Sequence, residues 1–398
     1  MNRLIWIPVF AGLAAFIGGC VTALPKPAPP AASAPPVSVT RYSALVRLEP
    51  PDLPKFADDL DAVSLHAAAL QSLVYYKSLP ADQLFVLGKD TCTAADLADS
   101  MAILARLLEN PSPDWPARLS ESFVVYQSVG VDAEKTVVFS SYYEPTISAR
   151  HVKDSLYRSP LYARPPDLVD VDLGLFDPTY QGARISGRRE GNALVPYATR
   201  ADIDSAKKLS DQGLEIAWAK DPLDVLDLQI EGSGWLDFGK GDVRRIRYDG
   251  NNGRHYRSVG QYLISSGRIP AKTFNRQVFL RYLAKHPKER QALLNVNERY
   301  VFFRIDASTA SLFAYGNIEV PLTPGRSIAT DPKLFPKGAL AWIDTGTMKR
   351  FMVNQDEGGA IQGPGRVDLF AGHGAKAARF ATHLWNKGRL YFLVKKKS

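Results

Sequence analysis

Cysteine and histidine are scarce in this sequence, and most signatures built from them are missing. There are two cysteines in 398 residues, and the six histidines form neither a His-Glu-x-x-His pair nor a close pairing with cysteine. We therefore expect no metal site. No helix-turn-helix, zinc-ligand or RNA-binding signature occurs, although the net charge of +8 suits a polyanionic partner. Nucleic acid is thus not the expected partner.

The N-terminus lacks an apolar run long enough to cross a bilayer. A run from Leu4 to Ile17 follows Arg3 and ends in small residues before Cys20, which is typical of a secretory signal peptide over residues 1–19. The Ile-Gly-Gly-Cys end resembles a bacterial lipobox, which implies cleavage before Cys20 and its lipidation. Val21 and Thr22 resemble the residues that follow the lipidated cysteine in lipoproteins of the Gram-negative outer membrane, which face the periplasm. The alternatives are an ordinary signal peptide or a slightly short anchor.

Residues 20–39 continue from this cysteine as a segment rich in Ala, Pro and Ser. Such a segment has nothing to bury, so we interpret it as a semi-extended tether between the membrane and the globular part. The remaining chain of about 360 residues exceeds the usual size of a single core, which predicts two domains.

Helices are predicted between about residues 56 and 110. Thr93 and Asp96 form a candidate capping box, and four apolar residues follow at helical spacing: Leu97, Met101, Leu104 and Leu108. With Cys20 lipidated, Cys92 is alone, which rules out a disulfide framework within the chain. Its position at the start of this helix predicts a small buried side chain rather than a nucleophile.

Strands are predicted at Phe123–Tyr126 and Thr136–Phe139, and the second leads into Tyr142, Tyr143 and Glu144 before a proline. Two tyrosines offer stacking faces and the glutamate offers a hydrogen-bonding edge, both of which suit sugar rings. Because side chains alternate along a strand, we also expect one tyrosine to point into the core.

Two further segments are candidate ligand contacts. Ser233 and Gly234 belong to a Gly-Ser-Gly turn that brings main-chain donors close to a ligand. Tyr256 precedes Arg257, whose guanidinium either clamps a carboxylate of a ligand or pairs with a neighbouring aspartate. Between the two segments, residues 248–253 contain Asn-Gly, which predicts a hairpin turn.

Near the C-terminus, three aspartates border short β-like runs and glycines. Asp331 precedes a proline, which favours a turn-forming role. The sequence around Asp356 is equally consistent with a turn-forming role and with a role in a functional site. Asp368 lies between apolar residues, where burial would raise the pKa of a carboxyl and allow it to act as an acid, but the residues alone do not separate this role from a turn-forming one.

The pattern Asp-Pro…Pro-x-Gly…Asp-x-Gly-Gly-Ala-Ile-x-Gly…Asp-x-Phe-x-Gly resembles the three-aspartate ("3D") domain of the membrane-bound lytic murein transglycosylase A family. Motifs Tyr-Tyr-x-Pro, Gln-Gly-Ser-Gly and Gly-Arg/His-x-Tyr-x-Ser-Ile/Val-Gly of that family occur upstream in the same order, with Glu231 replacing the glutamine. Further departures are Glu357, Gln362 and Ala371. These departures concern details of substrate binding and do not affect the candidate acid, Asp368.

This resemblance implies a fold that is mainly β with helices. It is a double-psi β-barrel domain formed by residues 40–145 and 301–398, with the 3D domain at about 325–396. A smaller β-rich domain, residues 146–300, is inserted between the two parts. The strand from Tyr300 to Ile305 would return the chain to the barrel, and a glycan groove would lie between the domains.

The resemblance also implies a reaction. Asp368 would be the catalytic acid and base, supported by Asp356 and Asp331, and would cleave peptidoglycan between N-acetylmuramic acid and N-acetylglucosamine to leave 1,6-anhydromuramyl ends. One carboxyl suffices, because the muramyl 6-hydroxyl replaces water, and no cofactor is needed. The alternatives are a muramidase-type hydrolase, with Asp356 as the second carboxyl, and a non-catalytic lipoprotein that binds peptidoglycan.

Overall fold

The computed structural model describes residues 40–180, 183–306 and 314–396, so that Cys20 and the tether lie outside the described residues. The α-helices in chain order are α1 (Ala62–Lys77), α2 (Ala94–Glu109), α3 (Trp115–Ser122), α4 (Pro222–Glu231), α5 (Val259–Ser265), α6 (Arg276–Lys285), α7 (Arg290–Leu294) and α8 (Gly374–His383). In these ranges no helix is both long and apolar enough to span a membrane.

The strands form four sheets. In chain order they are β1 (Leu45–Leu48), β2 (Leu84–Leu87), β3 (Asp90–Thr93), β4 (Phe123–Ser128), β5 (Val137–Glu144), β6 (Thr146–Arg150), β7 (Ser159–Tyr162), β8 (Leu168–Asp172), β9 (Arg184–Glu190), β10 (Ala193–Pro196), β11 (Glu215–Ala219), β12 (Ser233–Asp237), β13 (Val243–Asn251), β14 (Val301–Ile305), β15 (Ser327–Ala329), β16 (Leu340–Asp344), β17 (Lys349–Asp356), β18 (Arg366–His373) and β19 (Asn386–Lys395).

The largest sheet closes into a barrel. Its order is β19-β16-β17-β15-β18-β5, and β5 pairs back onto β19 through Asn386 and Phe139. The pairs β15–β17 and β18–β5 are parallel, whereas the other neighbours around the ring are antiparallel. Strands β4 and β1 continue the sheet from β19. The predicted fold class, a β-barrel with helices, is confirmed.

The barrel core is closed on one side by α1 and α2. Leu65 of α1 and Leu97 of α2 belong to the same buried cluster as Trp342 and Phe351 of the barrel. Helix α2 begins at the predicted capping box, in which Thr93 accepts from the main chain of Asp96 and Asp96 accepts from that of Thr93. The four apolar residues predicted at helical spacing all lie in the core, and the predicted burial of Cys92 is confirmed.

The inserted segment builds a second, smaller β structure. A six-stranded sheet has the order β14-β13-β12-β6-β11-β7, and a three-stranded sheet the order β10-β9-β8. Two predictions differ from the structure here. Val301–Ile305, assigned from sequence to the barrel, pairs with β13 of the inserted sheet. Residues 248–251, predicted as part of a hairpin turn, lie within β13, where the register shifts between Tyr248 and Gly250.

The barrel and the inserted sheet join at Pro145, which separates β5 from β6. The main-chain oxygen of Pro145 accepts from Trp235 N at 2.8 Å. On the barrel side of the junction, Glu144 forms a buried ion pair with Arg245 of β13, and both of its carboxylate oxygens are engaged. A strand of the barrel is thereby fixed against a strand of the insert.

Candidate functional site

Asp368 lies in the middle of β18, on the outer face of the barrel. It pairs with Ser140 of the parallel neighbour β5 and with Ala329 of β15. Its neighbours Val367 and Leu369 are fully buried in the barrel core. Since side chains alternate along a strand, the Asp368 carboxyl points away from this core.

The surroundings of Asp368 hold its carboxyl in one place and favour its neutral form. Ser140 Oγ donates to Asp368 Oδ1 at 2.7 Å, and Arg366 Nη2 donates to the same Oγ at 2.8 Å. Burial raises the pKa of Asp368 to about 6, against the opposing effects of Ser140 and Arg366, and the nearby charge of Asp356 adds to the increase. A carboxyl of this kind retains its proton far closer to neutrality than an exposed aspartate does.

Asp356 is the last residue of β17, and its carboxyl lies next to Tyr142, near Asp368. Tyr142 OH donates to its Oδ2 at 2.6 Å, and the main-chain N–H of Asn317 donates to its Oδ1 at 3.0 Å. Burial raises the pKa of Asp356, although these hydrogen bonds oppose the increase. The Tyr142 ring packs against buried Phe370, with ring centroids 5.3 Å apart. Tyr142 therefore connects Asp356 to the strand pair that carries Asp368.

Asp331 has the turn-forming geometry that its sequence favours. Its Oδ1 accepts from Lys333 N at 3.0 Å and its Oδ2 from Gly363 N at 2.8 Å. Both carboxylate oxygens are used to fix main-chain segments. Any support that Asp331 gives to the site is through the loop containing Gly363.

The opposite wall of the site comes from the inserted segment. Glu231, the last residue of α4, accepts from the main-chain N–H of Tyr143 through Oε2 at 3.1 Å. Burial raises the pKa of Glu231 to about 8, and the charge of Asp368 contributes to the increase. Glu231 and Asp368 therefore lie within electrostatic reach of each other across the junction.

The other candidate contacts lie farther into the insert. Tyr256 and Arg257 line a cavity of about 210 Å³ together with Asp227 and Arg276. Arg257 Nη1 lies 3.5 Å from Glu298 Oε1, so Arg257 pairs with an acidic residue, although with a glutamate and not the predicted aspartate; both side chains remain substantially exposed. Ser233 begins β12, two residues after Glu231, and is partly exposed.

Two predicted glycan contacts are unavailable. Glu144 is fully buried, and Arg245 occupies both of its oxygens, so this residue stabilises the junction and cannot contact a glycan. Gly234 is buried as well; a Cβ at this position would lie 2.3 Å from Leu228 Cδ2 and 2.7 Å from Pro145 O. Its glycine allows close packing of α4 on the junction, and the prediction of a ligand approach there is wrong.

Several site residues were not identified from the sequence. Ser140 and Arg366 each lie two positions before a predicted site residue in the same strand, and a period of two would have placed them on the same face. Trp385 has 68% of its surface exposed, and the Arg366 guanidinium lies 4.9 Å from its ring centroid. From the sequence, Glu231 is only a departure from a family motif, and no role follows from it.

Across the parts of the chain that are described, no group of three or more His, Cys, Asp or Glu side chains is arranged to hold a metal ion. What the site does offer is an oriented carboxyl with a pKa raised to about 6, with aromatic and polar side chains around it. This arrangement can protonate a leaving oxygen and afterwards accept a proton as a carboxylate.

Comparisons with known proteins match both parts of the chain. The family description "MltA specific insert domain" matches residues 138–304, and "3D domain" matches residues 326–394. The membrane-bound lytic murein transglycosylase A of Vibrio cholerae is 28% identical over 314 residues, which cover 74% of this chain and 77% of that protein.

Solved structures agree. A membrane-bound lytic murein transglycosylase from Agrobacterium tumefaciens has 28% identity and a TM-score of 0.73, covering 88% of this chain and 98% of that one. The structure of Escherichia coli MltA with bound chitohexaose shares the fold at 22% identity and a TM-score of 0.67, covering 91% of this chain and 98% of that one.

The barrel, its inserted β domain and the carboxyl at their junction define a two-domain protein of the three-aspartate class. The chain belongs to the membrane-bound lytic murein transglycosylase A family.

Proposed function

We propose that this chain is a peptidoglycan lytic transglycosylase, which cleaves the β-1,4 bond between N-acetylmuramic acid and N-acetylglucosamine without water. The observation that carries the proposal is the Asp368 carboxyl, which is oriented by Ser140 and has a pKa raised to about 6 by burial. The relatives named lytic murein transglycosylases support the reaction class.

The reaction has two proton transfers through one carboxyl. Asp368 gives its proton to the glycosidic oxygen while the bond from muramyl C1 to that oxygen breaks, and N-acetylglucosamine leaves with a free hydroxyl. The muramyl 6-hydroxyl then attacks C1, and the Asp368 carboxylate takes its proton. The product is a 1,6-anhydromuramyl end, and Asp368 is again protonated. The intramolecular nucleophile is already close to C1, so no second carboxyl is needed to activate it.

The hydrolase alternative requires a charged carboxylate that can activate water. Both oxygens of Asp356 already accept hydrogen bonds, from Tyr142 and Asn317. Glu231 is the other carboxyl near Asp368, but burial raises its pKa to about 8, so it is protonated at neutral pH and has no basic oxygen to offer. This charge distribution favours the lytic reaction over hydrolysis.

The non-catalytic alternative has less support. A module that only binds peptidoglycan has no use for a carboxyl whose pKa is raised by burial, since stacking and neutral hydrogen bonds suffice for sugar binding. The chain of hydrogen bonds from Arg366 through Ser140 to Asp368 orients that carboxyl, which is a requirement of proton transfer rather than of adhesion.

Around the acid we assign supporting and binding roles. Asp356 orients the site through Tyr142. Glycan contacts are assigned to Tyr142, Tyr143, Ser233, Tyr256 and Arg257, all at least partly exposed. The exposed ring of Trp385, beside Arg366, adds a flat apolar surface on which a sugar ring can stack.

We further propose that the chain is an outer-membrane lipoprotein of a Gram-negative bacterium, with its globular part in the periplasm. Support comes from the lipobox-like sequence before Cys20 and the Ala/Pro-rich tether that follows. The relatives are named membrane-bound. A lipid anchor followed by a semi-extended tether would let the groove reach glycan strands some distance from the membrane.

The test is the chemistry of the products. A soluble form lacking residues 1–20 is incubated with purified sacculi, and the released muropeptides are analysed by mass spectrometry. We expect 1,6-anhydromuramyl ends, which are 18 mass units lighter than the hydrolysed ends because water is not added. Reducing muramyl ends would instead establish the hydrolase, and sacculi that bind the protein without being cleaved would establish the binding module.

A further inference from the structure

We propose that Glu231 binds the glycan as a hydrogen-bond donor: its protonated carboxyl donates to an acceptor oxygen of a bound sugar, and its ionisation weakens glycan binding. The inference rests on the proposed function only in taking a glycan as the ligand of the groove. It adds a second titrating group to the site, on the wall opposite Asp368.

The fold holds Glu231 at this place from two sides. It is the last residue of α4, and Gly232 ends the helix with a left-handed conformation, φ 81°. The main-chain N–H of Tyr143 donates to Oε2 at 3.1 Å. Tyr143 belongs to β5, the strand that also carries Ser140, the hydrogen-bond partner of Asp368. A side chain of the insert is thus fixed beside the strand pair that carries the acid.

The charges around Glu231 disfavour its carboxylate. Asp368 of β18 and Asp227 of α4 both raise its pKa, and burial is the largest cause of the increase to about 8. Arg276 of α6 opposes this, but its guanidinium is already paired with Asp227. The C-terminal end of α4 adds partial negative charge next to the carboxyl. The facing phenols, Tyr143 and Tyr256, are neutral, because burial raises both of their pKa values.

A protonated carboxyl has one O–H to donate, and once a ligand closes the site that donor needs an acceptor on the ligand. Oε2 of Glu231 already accepts from Tyr143, and within the described ranges no residue forms a hydrogen bond with Oε1. Glu231 is nevertheless partly accessible, between Tyr143 and the start of β12. An oxygen of a sugar in the groove would satisfy this donor, whereas a negative charge at the same place would repel it.

The experiment measures binding of chitohexaose, a hexamer of N-acetylglucosamine, by calorimetry between pH 5 and pH 9. If only the protonated form binds, a group that titrates near pH 8 weakens the wild-type affinity about tenfold from pH 7 to pH 9. Glu231→Gln keeps an acceptor for Tyr143 and a permanent donor, so its affinity should stay level over this range and equal the wild-type affinity at pH 6. Glu231→Ala should bind weakly at every pH.

A matched control is Asp224→Asn, which removes a carboxyl of the same helix outside the groove and should retain the wild-type pH dependence. The proposal is overturned if Glu231→Gln weakens with pH as the wild type does, if it is folded by circular dichroism but binds at no pH, or if wild-type binding is absent or independent of pH. The proposed function fails separately: anhydro products can be missing while the binding result holds.

Discussion

Ser140 Oγ donates to Asp368 Oδ1 at 2.7 Å and receives a hydrogen bond from Arg366 Nη2 at 2.8 Å. The single hydroxyl proton of Ser140 is therefore directed at the carboxyl. A hydrogen bond of this direction stabilises the carboxylate, so Ser140 lowers the pKa of Asp368 while burial raises it. Together the two effects give Asp368 a pKa of about 6.

Removing the Ser140 hydroxyl should move the pH dependence of the reaction rate to higher pH. Asp368 must be protonated to act as an acid, so the wild-type rate should fall as pH rises through about 6. Ser140→Ala removes a contact that favours the carboxylate, which raises the pKa of Asp368 and moves the fall to higher pH. The measurement is kcat/KM for release of soluble muropeptides between pH 4 and pH 9. A fall that stays in place or moves to lower pH would contradict this account of Ser140.

Asp356 should matter for turnover more than for binding. Its Oδ2 accepts from Tyr142 OH, and its charge raises the pKa of Asp368. Asp356→Asn should lower kcat by roughly 10- to 100-fold, the cost of misplacing a reacting group by about an ångström. It should also move the fall in rate to lower pH.

Tyr142→Phe removes the same hydrogen bond but keeps the Asp356 charge. It should lower kcat without moving the fall to lower pH, and both variants should still bind insoluble peptidoglycan. An unchanged rate for Asp356→Asn would reduce this residue to a turn former.

Local patterns predicted the parts of the fold that depend on neighbours in sequence. The capping box at Thr93 and the apolar face of α2 are set within a few residues, and both are confirmed. The contacts that define the site are of another kind. Ser140 and Asp368 are 228 positions apart, and Glu144 is separated from Arg245 by 101. No periodicity links such pairs, so the sequence alone could not separate the structural Glu144 from the exposed Tyr143 beside it.

The difference between local patterns and long-range pairing also explains why the prediction of a hairpin turn at residues 248–253 is wrong. Asn-Gly is a good turn signal by its local conformation, but β13 continues to Asn251 because Tyr248, Gly250 and Asn251 pair with β14. The register shift between Tyr248 and Gly250 accommodates the glycine within the strand. Tertiary pairing here overrides a local preference. Val301–Ile305 forms the predicted strand, but its pairing partner, β13 of the inserted sheet, could not be read from local sequence.

Cys20 should determine where the protein is found. Cys20→Ala removes the sulfur that carries the lipid, so the variant should remain as a precursor or a soluble species and be lost from the outer-membrane fraction. Labelling with a fatty acid and membrane fractionation measure the two effects, and Cys92→Ala is the matched control because Cys92 is buried in the folded part. The lipoprotein assignment is wrong if Cys20→Ala fractionates with the outer membrane as tightly as the wild type.

Asp368→Asn is the decisive change for the proposed reaction. Asparagine keeps the size of the side chain and an oxygen that can accept from Ser140, but it has no proton to give to the glycosidic oxygen. General acid–base catalysis contributes roughly 10²–10⁴-fold, so release of 1,6-anhydromuropeptides should fall by at least this factor. Binding to insoluble peptidoglycan should persist, because stacking and hydrogen bonds along the groove do not require the proton.

The control for this variant is Asp344→Asn, at the end of β16, where the carboxyl accepts from Gly346 N at 2.8 Å in a turn. It should keep the wild-type rate, and thermal unfolding should show that both variants are folded. If folded Asp368→Asn still releases anhydromuropeptides at nearly the wild-type rate, Asp368 is not the acid. The search for the acid would then move to Asp356 and Glu231, whose pKa values are also raised by burial.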